Sequence, residues 1–201
     1  HNLDLYQWFF GMPTRVLGLA ALGKYHTIEV EDEVTAVFTH ENGMVGHFIT
    51  TTAESPGTNR LEIVGEHGRL VFDDGTLTFD RNEQSMLEFS RTTDRGFGKV
   101  PHETEVIEVP EDPAAPHYLV TERFVHAIRG DEQLVAQASE GLGSVALANG
   151  VLMSHFTGAA VDLPLDGDAY ESLLNDLIAK STFTKPDVIK EGPADLSDSF
   201  S

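Results

Sequence analysis

The sequence predicts an α+β domain in which one large, predominantly antiparallel, open β-sheet carries helices packed on one face. Three observations predict it. Between residues 14 and 109, short runs rich in Val, Ile, Thr and Phe alternate with polar positions, the period-two pattern of strands. These runs are punctuated by Asn42-Gly43, Ser55-Pro56-Gly57, His67-Gly68 and Asp74-Gly75, which are turn and hairpin signals. Beyond residue 116 the apolar period lengthens to that of amphipathic helices. Strands in the middle and helices late describe a sheet covered by helices.

In chain order, residues 1–11 place Leu5, Trp8 and Phe9 on one helical face, and Gly11 followed by Met12-Pro13 supplies the stop. Residues 34–38 and 46–50 alternate around Asn42-Gly43, and residues 69–72 and 76–79 around Asp74-Gly75, as parts of a set of about eight strands. After the proline-rich segment 110–116, Leu119, Val120, Phe124, Ala127 and Ile128 form a helical stripe that ends at Gly130. A further helix is expected from about residue 139 to 156, a short strand over 160–163, and a last helix over 168–180. That last helix carries Tyr170, Leu173, Leu174, Leu177 and Ile178. Residues 185–201 read as a polar, mobile tail, leaving 1–184 as the folded domain and 1–13 as its connecting helix. Apolar neighbours such as Phe48 and Ile49, or Val71 and Phe72, fall on opposite faces of the sheet. Its open face therefore needs another domain or subunit.

Composition narrows the functional classes. The 201 residues hold 13 Lys plus Arg against 33 Asp plus Glu, a formal charge of −20, so nucleic acid and anionic membrane surfaces are poor partners. The absence of cysteine excludes disulfides, thiolate zinc sites and cysteine nucleophiles. No apolar run approaches the roughly 20 residues of a membrane span, and no basic segment opens a targeting signal. The chain begins directly on helix-forming residues without Met, which we read as a piece of something longer, with a catalytic apparatus divided between this segment and another.

Gly141-Leu142-Gly143-Ser144-Val145-Ala146 matches the dinucleotide fingerprint G-x-G-x-x-A, with Asp162 where a ribose-binding acid would stand. The fingerprint requires a buried strand running into its first glycine, yet Gln137, Ser139 and Glu140 precede it. Small residues at a packed helix start are the better reading. Lys185-Pro186 lies in the polar tail with no strand leading in. The nine histidines form no H-E-x-x-H motif and no ligand pair with a carboxylate, and neither G-x-S-x-G nor a phosphate loop occurs. Glu31-Asp32-Glu33 reads as the solvated start of a strand, and His40, His47 and His155 as hydrogen-bonded structural residues.

Two constellations remain. His1 and Asp4 stand at i, i+3 on one helical face, where an imidazole could move a substrate hydroxyl proton beside an orienting carboxylate; ordinary polarity at a helix start is the bland alternative. Gly23-Lys24-Tyr25-His26 supplies a cation, a phenol and an imidazole that could hydrogen-bond a polyol, against a simple solvated hairpin end. From these, Tyr25 and His26 are candidate substrate contacts, as are Asn59 and Arg60, polar residues at a strand end.

The run His1-Asn2-Leu3-Asp4-Leu5-Tyr6-Gln7-Trp8-Phe9-Phe10-Gly11-Met12-Pro13 resembles the helix that follows the catalytic D-x-x-x-H motif in glucose-fructose oxidoreductase / inositol dehydrogenase / MocA (Gfo/Idh/MocA) proteins. Val30-Glu31-Asp32-Glu33-Val34-Thr35-Ala36, Asn42-Gly43, Leu61-Glu62-Ile63-Val64-Gly65 with Gly68, residues 124–128, Glu140-Gly141-Leu142, and Val161-Asp162-Leu163-Pro164 with Tyr170 continue the resemblance in order along nearly the whole chain. It implies an N-terminal Rossmann domain that binds NAD or NADP. The present domain would line the substrate site and build a homodimer or homotetramer through the open sheet face. Hydride would pass between the nicotinamide and a carbinol carbon of a sugar, cyclitol or related polyol, in a cytoplasmic enzyme. His1 would be the motif histidine, and Asp4 a substrate-side or helix-capping carboxylate. The motif's aspartate would precede residue 1, and the family's Glu-Lys-Pro lysine has no counterpart. With no cofactor-binding or metal-binding residue expected here, the 201-residue chain alone should be inactive. Two other readings stand beside this one: a stand-alone, non-catalytic binding or assembly module, and an NAD-dependent glycosidase on the same two-domain plan.

Overall fold

A computed structural model describes residues 1–108 and 116–184, so the expected tail 185–201 and residues 109–115 of the proline-rich connection lie outside the described residues. The elements are α1 (Asn2–Phe10), β1 (Arg15–Leu22), β2 (Glu31–Thr39), β3 (Val45–Thr51), β4 (Arg60–Gly65), β5 (Gly68–Asp73), β6 (Thr76–Asn82), α2 (Met86–Thr92), β7 (His102–Ile107), α3 (Pro116–Arg129), a 3₁₀ turn (Ala138–Glu140), α4 (Gly141–Thr157), β8 (Val161–Asp162) and α5 (Gly167–Lys180).

The α+β class and the antiparallel pairing follow the sequence pattern, and every strand pair is antiparallel. The eight strands are shared between two four-stranded sheets, in the orders β3-β2-β1-β8 and β4-β5-β6-β7, where the sequence reading joined them in one. The cause is local. After Thr51 the chain runs through Ala53-Glu54-Ser55-Pro56-Gly57, a stretch with no apolar alternation and a proline that cannot donate to a ladder, so β4 starts a new sheet. The chain accordingly divides into two compact units, residues 1–53 with 136 onward, and residues 54–135.

In the first unit, β1 and β2 pair from Arg15↔Thr39 to Ala20↔Val34, and the hairpin at Asn42-Gly43 sets β3 against β2 with Val37 opposite His47. Alternation turns Val16, Val34, Ala36 and Phe38 to one face, where Leu147 and Val151 of α4 close over them. Gly18 is the point of closest approach, since a Cβ there would stand 2.6 Å from the backbone oxygen of Val151. Buried Ser154 fastens the same crossing, accepting the Gly18 N–H at 2.9 Å and donating to the Ala159 carbonyl at 2.7 Å.

In the second unit, Asp74 (φ 44°) and Gly75 (φ 78°) form the turn between β5 and β6, two left-handed residues as a type I′ hairpin requires. Helix α2 falls within the stretch read from sequence as strands. Its start is set by Ser85, whose hydroxyl accepts the Glu88 N–H, and the Ser85-x-x-Glu88 spacing is the signal for it. Among the described residues, no helix is long and apolar enough to cross a membrane.

Candidate functional site

The first turn of α1 carries the two residues singled out for proton transfer. His1 is the exposed N-cap residue; its carbonyl accepts the Leu5 N–H at 2.9 Å, and its imidazole makes no capping bond. Asp4 is exposed in the first turn, a position where a carboxylate suits the helix dipole, and it accepts a hydrogen bond from Gln7 Nε2 at 3.0 Å. The helix is pinned to the sheet by Tyr6. Its hydroxyl shares a 2.7 Å hydrogen bond with His40 Nε2, and its ring packs 4.9 Å from that of Phe38. Gly46 leaves the space that the Tyr6 ring fills. Burial pushes the Tyr6 phenol up and the His40 imidazole down from their ordinary values.

The loop between β1 and β2 is organised by Asp32. It was read from sequence as part of a solvated strand start, but its side chain is fully buried. Alternation explains this, because Asp32 shares the inward face of β2 with Val34, Ala36 and Phe38. Its oxygens accept the backbone N–H groups of Lys24 (3.1 Å), Tyr25 (2.7 Å) and His26 (3.1 Å), and His26 Nδ1 lies 3.3 Å away. Burial alone would raise this carboxyl, yet the N–H groups of Tyr25, Lys24 and His26 outweigh it and hold the pKa below the usual carboxylate value. Next to it, Glu33 takes both Lys24 Nζ (2.8 and 3.0 Å) and the Tyr25 hydroxyl (2.8 Å). Hydrogen bonds from Lys24 and then Tyr25 lower the Glu33 pKa, and Lys24 is raised by its own contacts with Glu33 and then Tyr25. Tyr25 and His26 are therefore held in fixed positions, the phenol already engaged.

A cavity of about 280 Å³ opens beside this loop and the first turn of α1. Leu3, two residues after His1, lines it together with Phe48, Val151 and Leu152, while Glu31, Glu33 and Thr50 to Thr52 supply polar groups. Thr51 donates to the Asp32 carbonyl at 3.0 Å, and Thr52 Oγ1 lies 3.3 Å from His26 Nδ1. The hydroxyl of Thr50 has no partner among the described residues. An apolar floor with hydroxyls and carboxylates at its edge suits a small, hydroxyl-rich molecule. The sequence reading did not select the threonine run; three consecutive threonines at the end of an alternating strand were the available signal.

Asn59 and Arg60 belong to the second unit. Arg60 is held by Asp73 (2.5 Å) and Glu62 (2.7 Å), which consumes both ends of its guanidinium. The G-x-G-x-x-A run stands at the start of α4 behind a 3₁₀ turn, with no strand entering it, and Gly143 packs against Gln7 and Met12. The small residue there serves helix packing. The described residues thus build no dinucleotide-binding crossover, and no group of three His, Asp or Glu among them could hold a metal ion.

Residues 1–71 match the family of the GFO/IDH/MocA C-terminal domain. No curated protein matches the chain. Among solved structures, the chain is similar to the WlbA dehydrogenase from Bordetella pertussis in complex with NADH and UDP-GlcNAcA, at 23% identity and TM-score 0.59, over 83% of this chain and 43% of that one. The WlbA dehydrogenase from Chromobacterium violaceum, in complex with the same two ligands, gives 24% identity and TM-score 0.61 over 83% and 44%. The UDP-N-acetylglucosamine 3-dehydrogenase GnnA from Acidithiobacillus ferrooxidans gives 18% and 0.57 over 77% and 44%. The structural similarity shows a shared fold, and the chain spans less than half the length of each of the three proteins.

Proposed function

We propose, from the match of residues 1–71 to the GFO/IDH/MocA C-terminal domain family, that the chain is the substrate-lining and oligomerising part of an NAD(P)-dependent oxidoreductase acting on a sugar, cyclitol or related polyol. The observation that carries this reading is the cavity at the first turn of α1. It joins the helix bearing His1 to the ends of β2 and β3, all within the family match. The similar dehydrogenases bound to NADH and a nucleotide sugar support the same class of chemistry.

In this proposal the nicotinamide cofactor is held by a Rossmann domain outside this chain; when bound, it supplies the hydride acceptor or donor. The chain's own residues bind and orient the substrate and move one proton. His1 accepts the hydroxyl proton when the carbinol carbon loses hydride, and returns it in the reverse direction. Asp4 stands on the same helical face as an orienting carboxylate. Thr50, Tyr25 and His26 contact substrate hydroxyls. Asn59 and Arg60 are weaker contacts, Arg60 being already held by two carboxylates. The 201-residue chain alone is inactive, and the complete enzyme works in the cytoplasm.

The open face of the first sheet forms the homo-oligomer contact. Leu19 is 67% exposed and Ile49 75%, and Leu17 and Val45 lie on the same side, an apolar patch of the kind that subunits cover. The test is His1→Ala in the complete oxidoreductase. Turnover should fall by roughly 10²–10⁴-fold, the usual cost of losing acid–base help. Unchanged turnover on the true substrate would reject the assignment.

A further inference from the structure

Phe97 is the most exposed large apolar side chain among the described residues, and it lies fully in water. It occupies the tip of the loop between α2 and β7, in the run Arg95-Gly96-Phe97-Gly98-Lys99. This tip is built. Thr93 Oγ1 accepts the Arg95 N–H at 3.2 Å, and the Gly98 N–H closes on the Arg95 carbonyl at 3.3 Å. Gly98 rests on the ring of Phe89, so that a Cβ there would stand 2.8 Å from Cζ. The backbone on either side is thereby fixed while the phenyl ring projects outward. Arg91, Arg95 and Lys99 make no ion pair among the described residues, and Asp94 is the one acid between them. The loop is a cationic island on a chain of net charge −20.

The first unit carries a groove of matching character. Its volume is about 600 Å³, with Leu22, Val30, Phe156, Leu173, Leu174 and Leu177 among its lining; Glu29 and Glu31 contribute its acidic side, and its one cation, Lys180, is set against Asp176 at 3.8 Å. Helix α5 leaves Leu174 45% exposed there. We propose that Phe97 of one copy of this chain seats in the α5 groove of a second copy, with Arg95 and Lys99 set against Glu29 and Glu31. Charge selects a second copy as the occupant. A basic, aromatic-tipped loop fits an acidic apolar groove, whereas two such loops facing one another would repel. The contact is separate from the open sheet face, and it stands or falls independently of the catalytic reading.

The lack of cysteine provides a clean test. Differently tagged F97C and L174C chains, mixed under mild oxidation, should form an inter-chain disulfide much faster than F97C mixed with S139C, an exposed site away from the groove. Equal yields with the two partners would overturn the proposal. In sedimentation, Phe97→Ser should weaken self-association about tenfold or more, the equivalent of burying a phenyl ring, with no change in the thermal midpoint at dilutions where the chain is monomeric, because the ring is fully exposed on its own chain. R95E/K99E should weaken it as well, and E29K added to that pair should restore part of the loss. Association that is indifferent to Phe97→Ser would also overturn it.

Discussion

The first unit buries Val16, Val34, Ala36, Phe38, Leu147 and Val151 between its sheet and α4, whereas the second unit has no fully buried residue among those described. On one face of the second sheet, Arg60 bridges Asp73 and Glu62, and Arg69 bridges Asp80 and Glu62. The opposite face carries Leu61, Ile63, Leu70, Phe72, Leu77 and Phe79, all half-buried. The difference lies in what covers the sheet. A helix fastened at Gly18 and Ser154 covers the centre of one face of the first sheet, so each methylene removed from that buried centre leaves a cavity. Exposed cross-strand ion pairs keep register in the second sheet but contribute little stability. The candidate site lies in the dry, well-held unit, which suits the demand that binding groups be fixed before the substrate arrives.

This contrast can be broken by experiment. Phe38→Ala should cost about 3–5 kcal/mol in urea unfolding, while Phe72→Ala should cost less than about 2 kcal/mol because its ring is already partly wet. Equal losses would erase the distinction between the units. Next in size, Gly18→Ala should destabilise by about 1–3 kcal/mol as the new methyl forces α4 away from β1, measurable as a lower denaturation midpoint. A smaller effect concerns pH. Burial lowers the His40 pKa below its unfolded value, so the unfolded chain binds more protons in the window between the two. The contribution of the partly buried neutral ring is present above about pH 6.5 and is lost as pH falls through the lowered folded value. Unfolding curves at pH 7.5 and 5.5 should therefore diverge more for the natural chain than for His40→Gln. Smallest of all, Arg69→Ala in the second unit should leave the midpoint nearly unmoved, and a large fall would mean that the ion pairs there carry stability after all.

How much was legible can be traced through particular residues. Period-two runs flanking Asn42-Gly43 and Asp74-Gly75 pointed to both hairpins, because side-chain alternation and turn chemistry are local properties of the chain. The helical stripes of α1, α4 and α5, and the exclusion of cysteine chemistry, were likewise written in the sequence. His1 and Asp4 could be placed on one helical face from their spacing alone. Only the tertiary structure decided that the strands divide between two sheets, that the neighbours Gly143 packs against are Gln7 and Met12 of the α1 segment, and that Asp32 turns inward to hold residues 24–26. Each of these depends on which segment comes to lie against which, and sequence spacing carries that information only within an element. The cavity beside α1 is of the same kind: Leu3, the β3 residues Phe48 and Thr50, and Val151 are far apart along the chain, and the crossing of α4 over the sheet brings them to one place.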